Sequence, residues 1–248
     1  MNPSTIVKPC QLKTFQKDHI YCQYDDNKIT EFTEQMFTAD FWQQQKAITG
    51  KAQGRGTTWF VEYNNQQWVL RHYYRGGLIG KLIKDSYFYQ SMKHTRAAQE
   101  FSLLVKMQHY NLPAPQPIAY RVIKNGLFYQ ADLISQRIEN SADLVAVLSQ
   151  KSLSALQWQQ IGATVRKFHQ QGIYHHDLNA HNILIDHDDK VWLIDFDRGE
   201  QRKIANNWQQ SNLARLKRSF LKELNKLVVF NWSEQNWDDF MLGYQTKS

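Results

Sequence analysis

The run His176-Asp177-Leu178-Asn179-Ala180-His181-Asn182 leads into two short apolar segments, Ile183 to Ile185 and Val191 to Ile194, and then into Asp195-Phe196-Asp197. The polar stretch His187-Asp188-Asp189 between the segments predicts a hairpin, which returns Asp195 to the end where Asn182 stands. An amide and a carboxylate brought together in this way offer oxygen ligands to a hard cation. Asp177, on the loop before them, is left for a hydroxyl. A capped turn ahead of an ordinary hairpin, with Asp195 merely closing a strand, is the competing reading. The order, spacing and flanking strands favour a site.

Phosphoryl transfer from ATP asks little covalent chemistry of a protein. It needs an orienter or base for the attacking hydroxyl, metal ligands, and cations against the phosphates. With His175 before it, the run above has the order of the kinase catalytic loop, H-x-D-L-x-x-x-N followed by D-F-x.

Working outward, Leu153 to Gln171 reads as a helix with Leu156, Ile161, Val165 and Phe168 inward and Gly172 as its stop. From Ala47 to Tyr74 the chain reads as three strands, turning at Gly54-Arg55-Gly56 and at Asn64-Asn65. Thr95 to Tyr110 approximates a helix, ended by Pro113, Pro115 and Pro117. Ile118 to Val122 and Leu127 to Leu133 form a predicted hairpin about Asn125-Gly126. Beyond Ser141 the pattern is mostly helical. The expected fold class is therefore α+β in two lobes: an N-terminal antiparallel sheet with one helix over residues 1–134, and a mostly helical lobe over 135–248, joined near Ser135 to Ser141.

The 248 residues carry a net charge of +7, with 42% hydrophobic, 21% charged and 13% aromatic residues. That balance suits a globular protein with an anionic partner, such as phosphates, acidic sugars or lipid headgroups. No window resembles a membrane span, and Met1 to Thr14 lacks the apolar stretch of a secretory signal, so a cytoplasmic location is expected. Cys10 and Cys22 suggest neither a disulfide framework nor a zinc cage. Basic residues cluster from Arg71 to Arg96 and from Arg202 to Lys226, where a solvated charged face is the plain alternative to a binding surface. Nucleic acid is an unlikely partner, because no recognised motif accompanies the charge.

The chain resembles the lipopolysaccharide kinase family of the protein-kinase-like superfamily, within it the branch acting on 3-deoxy-D-manno-octulosonic acid. The residues that carry the resemblance are Gly54 to Phe60, Val69 to Gly77, Asn111 to Pro115, His175 to Asn182, and Asp195 to Arg198. It implies transfer of the ATP γ-phosphate to the 4-hydroxyl of that acidic sugar on a lipid A precursor, with magnesium, at the cytoplasmic face of the inner membrane by peripheral contact. Asp177 would orient the sugar hydroxyl or accept its proton, and Asn182 and Asp195 would hold magnesium on the phosphates. Gly54, Gly56 and Thr57 would close the first hairpin over the phosphates. Arg71, paired with Glu100 on the following helix, would grip them, and Asp132 and Leu133 complete the expected nucleotide contacts.

The sequence departs from the common kinase pattern at several places. Arg71 stands where kinases usually place Lys, exchanging a point charge for a planar fork. Asn179 stands in another Lys position, His176 replaces an Arg, and Asp197 replaces the Gly of D-F-G. Only Phe196 to Ser248 remain after Asp195, which suits a small or membrane-presented acceptor better than a peptide. Residues 76–89 read either as an acceptor or membrane loop or as a packed connection. Arg75 and Arg198 are candidate acceptor contacts. A kinase for a heptose or an aminoglycoside-like acceptor, and a silent nucleotide-binding module, are the alternatives, although positive charge disfavours a cationic acceptor.

Overall fold

Asn64 and Asn65 both take positive φ, 49° and 60°, so the chain reverses in two residues between Tyr63 and Gln66. That is the I′ geometry whose twist matches paired strands, and asparagine tolerates it better than most residues. The computed structural model in which this turn is seen describes residues 9–53, 56–75 and 85–246. Gly54 and the 76–84 part of the predicted acceptor or membrane loop lie outside the described residues.

The chain divides into two units, Met1–His109 with Gln116–Arg137, and Tyr110–Pro115 with Ile138–Ser248. Residues 110–115 belong with the second unit because its strands hold them: the Leu193 amide donates to the Pro113 carbonyl (3.0 Å), and Gln201 Nε2 donates to the Tyr110 hydroxyl (3.1 Å).

The first unit is built on an antiparallel sheet of β1 (Leu12–Lys17), β2 (Ile20–Asp25), β3 (Ile48–Gln53), β4 (Thr57–Tyr63), β5 (Gln66–His72), β6 (Tyr87–Phe88), β7 (Pro117–Asn125) and β8 (Phe128–Gln136). Their order is β1-β2-β7-β8-β5-β4-β3, with β6 also paired to β8. β7 and β8 meet at a two-residue loop whose first position is Gly126 at φ +58°. One face of the sheet packs on helix α1 (Ala39–Gln44) and a 3-10 turn over Glu34–Phe37, closing a core of Met36, Phe37, Trp42, Val61, Trp68, Leu70 and Ile134. Each such side chain contributes roughly 1.5–3 kcal/mol when fully buried. The other face carries α2 (Arg96–His109), where the rings of Phe101 and Tyr120 meet at 5.1 Å.

The second unit contains α3 (Leu144–Leu148), α4 (Ala155–Gln170), α5 (Asn206–Lys226) and α6 (Glu234–Gln245), with short strands β9 (Ser141–Asp143), β10 (Ile173–Tyr174), β11 (Ile183–Asp186), β12 (Val191–Leu193) and β13 (Glu200–Gln201). A Ser154–Gln157 capping box starts α4, which buries Trp158, Ile161, Val165 and Phe168 at helical spacing. Leu156, expected inward, falls off that stripe and is 63% exposed. Gly162 and Gly243 let α4 and α6 touch backbone to backbone: a Cβ on either would stand 2.0 or 1.9 Å from the facing carbonyl oxygen of Phe240 or Gln159. Gly172 follows α4 at φ +71°, which sends the chain directly into β10.

Candidate active site

In the second unit the candidate run from His176 to Asn182 is a loop strung between β10 and β11, and its shape is imposed by His175. The ring of His175 is buried and its two nitrogens face different parts of the site. Nδ1 accepts the amide N–H of Asp177 (3.1 Å), so Nε2 carries the proton and donates to the carbonyl of Ile194 (2.9 Å). This fixes one neutral tautomer. Burial is the main influence holding the ring below its ordinary pKa, which suits a group that must accept as well as donate. The ring of Phe196, itself stacked on Phe168 at 5.6 Å, packs against His175 at 4.8 Å. One imidazole thus ties Asp177, on the loop ahead of the hairpin, to Ile194, the residue before Asp195.

Asn182 repeats the link. Its Nδ2 donates to the Asp177 carbonyl (3.0 Å), and its own carbonyl accepts the Ile194 amide (3.0 Å). With the amide nitrogen so placed, Oδ1 is the ligand end. Ile183 faces Leu193 in the β11–β12 ladder, so Asn182 and Asp195 emerge from the same end of the hairpin. Asp195 takes φ +61°, a left-handed conformation that asparagine and aspartate adopt more readily than most residues. An amide oxygen and a carboxylate are the hard donors that suit magnesium, and they fit it better than they would a soft transition metal. A different acidic group, Asp186, His187 and Asp188, clusters at the far turn of the hairpin. There Asp186 accepts the amides of Asp188 and Lys190 and the indole N–H of Trp192, which makes it a turn former.

Three residues that sequence reasoning missed come from α5. Asn212 Oδ1 accepts the His175 amide (3.3 Å) while its Nδ2 donates to the His175 carbonyl (3.0 Å). Arg215 Nη1 donates to Asp177 Oδ1 (2.6 Å). Ser219 Oγ accepts the Ala180 amide (3.0 Å). Their spacing of three and then four residues puts them on one helix face. The signal was a polar stripe beside Leu213, Leu216 and Phe220, legible only once the helix was known to lie along the loop.

In the first unit, Arg71 on β5 meets Glu100 on α2, Nη2 to Oε2 at 2.5 Å, and the Tyr73 hydroxyl donates to the same oxygen (2.6 Å). The Arg71–Glu100 pairing expected from sequence is therefore formed within this unit. Glu100 is only 3% exposed. Burial and the Glu100 charge push the Tyr73 hydroxyl well above its ordinary range, so it stays a donor. Gly56 lies against the Tyr74 ring, 1.9 Å from where its Cβ would stand, and Thr57 opens β4 beside it.

The expected nucleotide contacts Asp132 and Leu133 both have buried side chains. Asp132 accepts from Arg121 Nε (2.9 Å) and pairs with His72 Nδ1 (2.7 Å), and both it and Leu133 are 2% exposed. Their side chains serve the interior of the unit. Arg75 likewise donates to the Ser86 carbonyl and lies over the Tyr87 ring.

Comparison with known proteins follows the same lines. The family model described as Lipopolysaccharide kinase (Kdo/WaaP) family matches residues 39–244. A 3-deoxy-D-manno-octulosonic acid kinase of Vibrio parahaemolyticus is 47% identical over 86% of this chain and 89% of its own length. Proteins of the same name from Mannheimia succiniciproducens and Haemophilus influenzae are 47% and 43% identical, each over 94% of this chain and 99% of its own length.

Proposed function

The chain belongs to the lipopolysaccharide kinase (Kdo/WaaP) family, and on that premise we propose that it transfers the γ-phosphate of ATP to the 4-hydroxyl of 3-deoxy-D-manno-octulosonic acid on a lipid A precursor. The observation that carries the proposal beyond kinship is the frame in which His175 and Asn182 bind both the Asp177 main chain and Ile194. That frame supports reading the Asp177 carboxylate as the group for the hydroxyl, and Asn182 and Asp195 as oxygen donors for a metal. In this reading Asp177 holds the sugar hydroxyl and takes its proton as the bond to phosphorus forms. Asn182 and Asp195 hold magnesium, which supplies positive charge against the phosphate oxygens. Arg71, paired with Glu100 and Tyr73, offers a cation for phosphate in place of a lysine.

Peripheral contact with the inner membrane belongs to the same proposal. No helix among the described residues is long and apolar enough to cross a membrane. The end of α5 presents exposed Arg218, Lys222 and Lys226, followed by Val228 and Val229, the former fully exposed. Basic side chains beside exposed apolar ones suit an anionic leaflet. Flotation with anionic vesicles, weakened by salt and absent with neutral vesicles, is the expected result.

The test of the activity is magnesium-dependent ADP release with the sugar on its lipid carrier, followed by mass spectrometry. One added phosphate with the native chain and none with Asp177→Ala is expected. Nucleotide binding without transfer to this acceptor would overturn the assignment of the acceptor.

A further inference from the structure

The ion pair between Arg215 and Asp177 lies in the open, with side chains 45% and 53% exposed. Exposed pairs of this kind contribute little to folding, so stability does not account for it. The guanidinium is nevertheless held in place. One turn before it Asn212 grips His175, and one turn after it Ser219 holds Ala180, so α5 cannot slide along the loop without breaking three contacts. Only Nη1 is spent on Asp177 among its described contacts, which leaves the rest of a five-donor fork beside the candidate base.

Other cations gather at the same spot. Burial first, then the charges of Arg198 and Arg215, with a smaller share from Arg202 and against the opposing pull of Asp177, hold His176 below its ordinary pKa. Arg202 is answered by Glu200 and by the face of Tyr174. Arg198 is exposed, on a turn at φ +58°. The positive charge around Asp177 is thus suited to a second anion close to the reacting hydroxyl.

We propose that Arg215 binds the carboxylate of the acceptor sugar and so selects an acidic sugar over a neutral one. The inference rests on the acceptor proposed above, whose carboxylate is borne on the ring carbon next but one to that of the 4-hydroxyl. A fork that touches Asp177 with one nitrogen keeps further donors close to any anion so near that hydroxyl. Arginine suits the task because its planar fork matches a carboxylate, and a lysine would give only a point charge.

The experiment compares the native chain, Arg215→Gln and Arg215→Lys on two acceptors, the acidic sugar on its lipid carrier and the same compound as its carboxyl methyl ester. Loss of a charged hydrogen bond lowers kcat/KM by roughly 10- to 100-fold. The native chain should lose about that factor on going from acid to ester, and Arg215→Gln should lose it on the acid yet little more on the ester. Arg215→Lys should fall between. If the two losses multiply, or if the native chain uses acid and ester alike, Arg215 does not touch the carboxylate and the inference is overturned while the kinase assignment stands. If the native chain phosphorylates neither, the acceptor assignment falls and takes this inference with it.

Discussion

Asn212 holds His175 from both sides, accepting its amide N–H at 3.3 Å and donating to its carbonyl at 3.0 Å, so a helix side chain does the work of a neighbouring strand. Both residues are only 2% exposed. Asn212→Ala would leave two buried main-chain groups without partners, at about 1–3 kcal/mol for each. The expected outcome is a melting temperature lower by several degrees, together with a fall in kcat larger than any change in KM for ATP. Calorimetry and initial rates check it. Destabilisation with an unchanged kcat would show that the clamp serves folding alone.

Asp177→Asn keeps the shape of the side chain and removes its charge. Asn182 and His175 bind the main chain of Asp177 and not its carboxylate, so the loop should survive the change. The expected result is a fall in kcat of roughly 10²- to 10⁴-fold, the range for loss of a proton acceptor. ATP affinity measured by titration calorimetry should stay within a few-fold. A large loss of ATP affinity instead would place Asp177 on the nucleotide and not on the acceptor.

Much of this arrangement was legible in the sequence because the candidate catalytic residues sit close together in the chain. Asp177, Asn182 and Asp195 are joined by a loop and one hairpin, whose period and turn residues are local signals. Asn212, Arg215 and Ser219 were not legible, since what marks them is a helix lying along a loop more than thirty residues earlier in the chain. The hairpin of β1 and β2 was hidden for another reason: β1 is an edge strand, exposed along most of its length, so it shows no alternation of apolar and polar residues. Asp132 pairs with Arg121 and His72, residues distant in the chain, so its buried place was not legible either.

Arg71 tests how the first unit tolerates an arginine in the usual lysine position. Glu100 is buried and shares one oxygen between Arg71 and Tyr73, so removing the cation takes a charged hydrogen bond from the interior. Arg71→Ala should destabilise by about 1.5–3 kcal/mol, the range for a hydrogen bond to a charged group. Arg71→Ala with Glu100→Gln should recover a good part of that stability in urea unfolding while activity stays low. Recovery of activity along with stability would mean that Arg71 has no part in holding phosphate.

His169 makes the second unit sensitive to acid. It is 2% exposed, its Nδ1 meets the Tyr244 hydroxyl at 2.8 Å, and burial pushes its pKa down to about 4, partly offset by Asn212 and reinforced by His175. In the unfolded chain the same group titrates near 6.5. Between those values the unfolded state binds the proton and the folded state does not, so stability falls as pH drops from about 6.5 to about 4 and is fully present above that window. The linked loss is about 3 kcal/mol. His169→Gln, whose amide can still meet the Tyr244 hydroxyl, should be somewhat less stable at pH 8 yet lose less on acidification. His175 is also held below its ordinary value and keeps part of the slope in the variant. Urea unfolding of both proteins at several pH values across the window is the check, and parallel curves would exclude His169 as a source of the acid sensitivity.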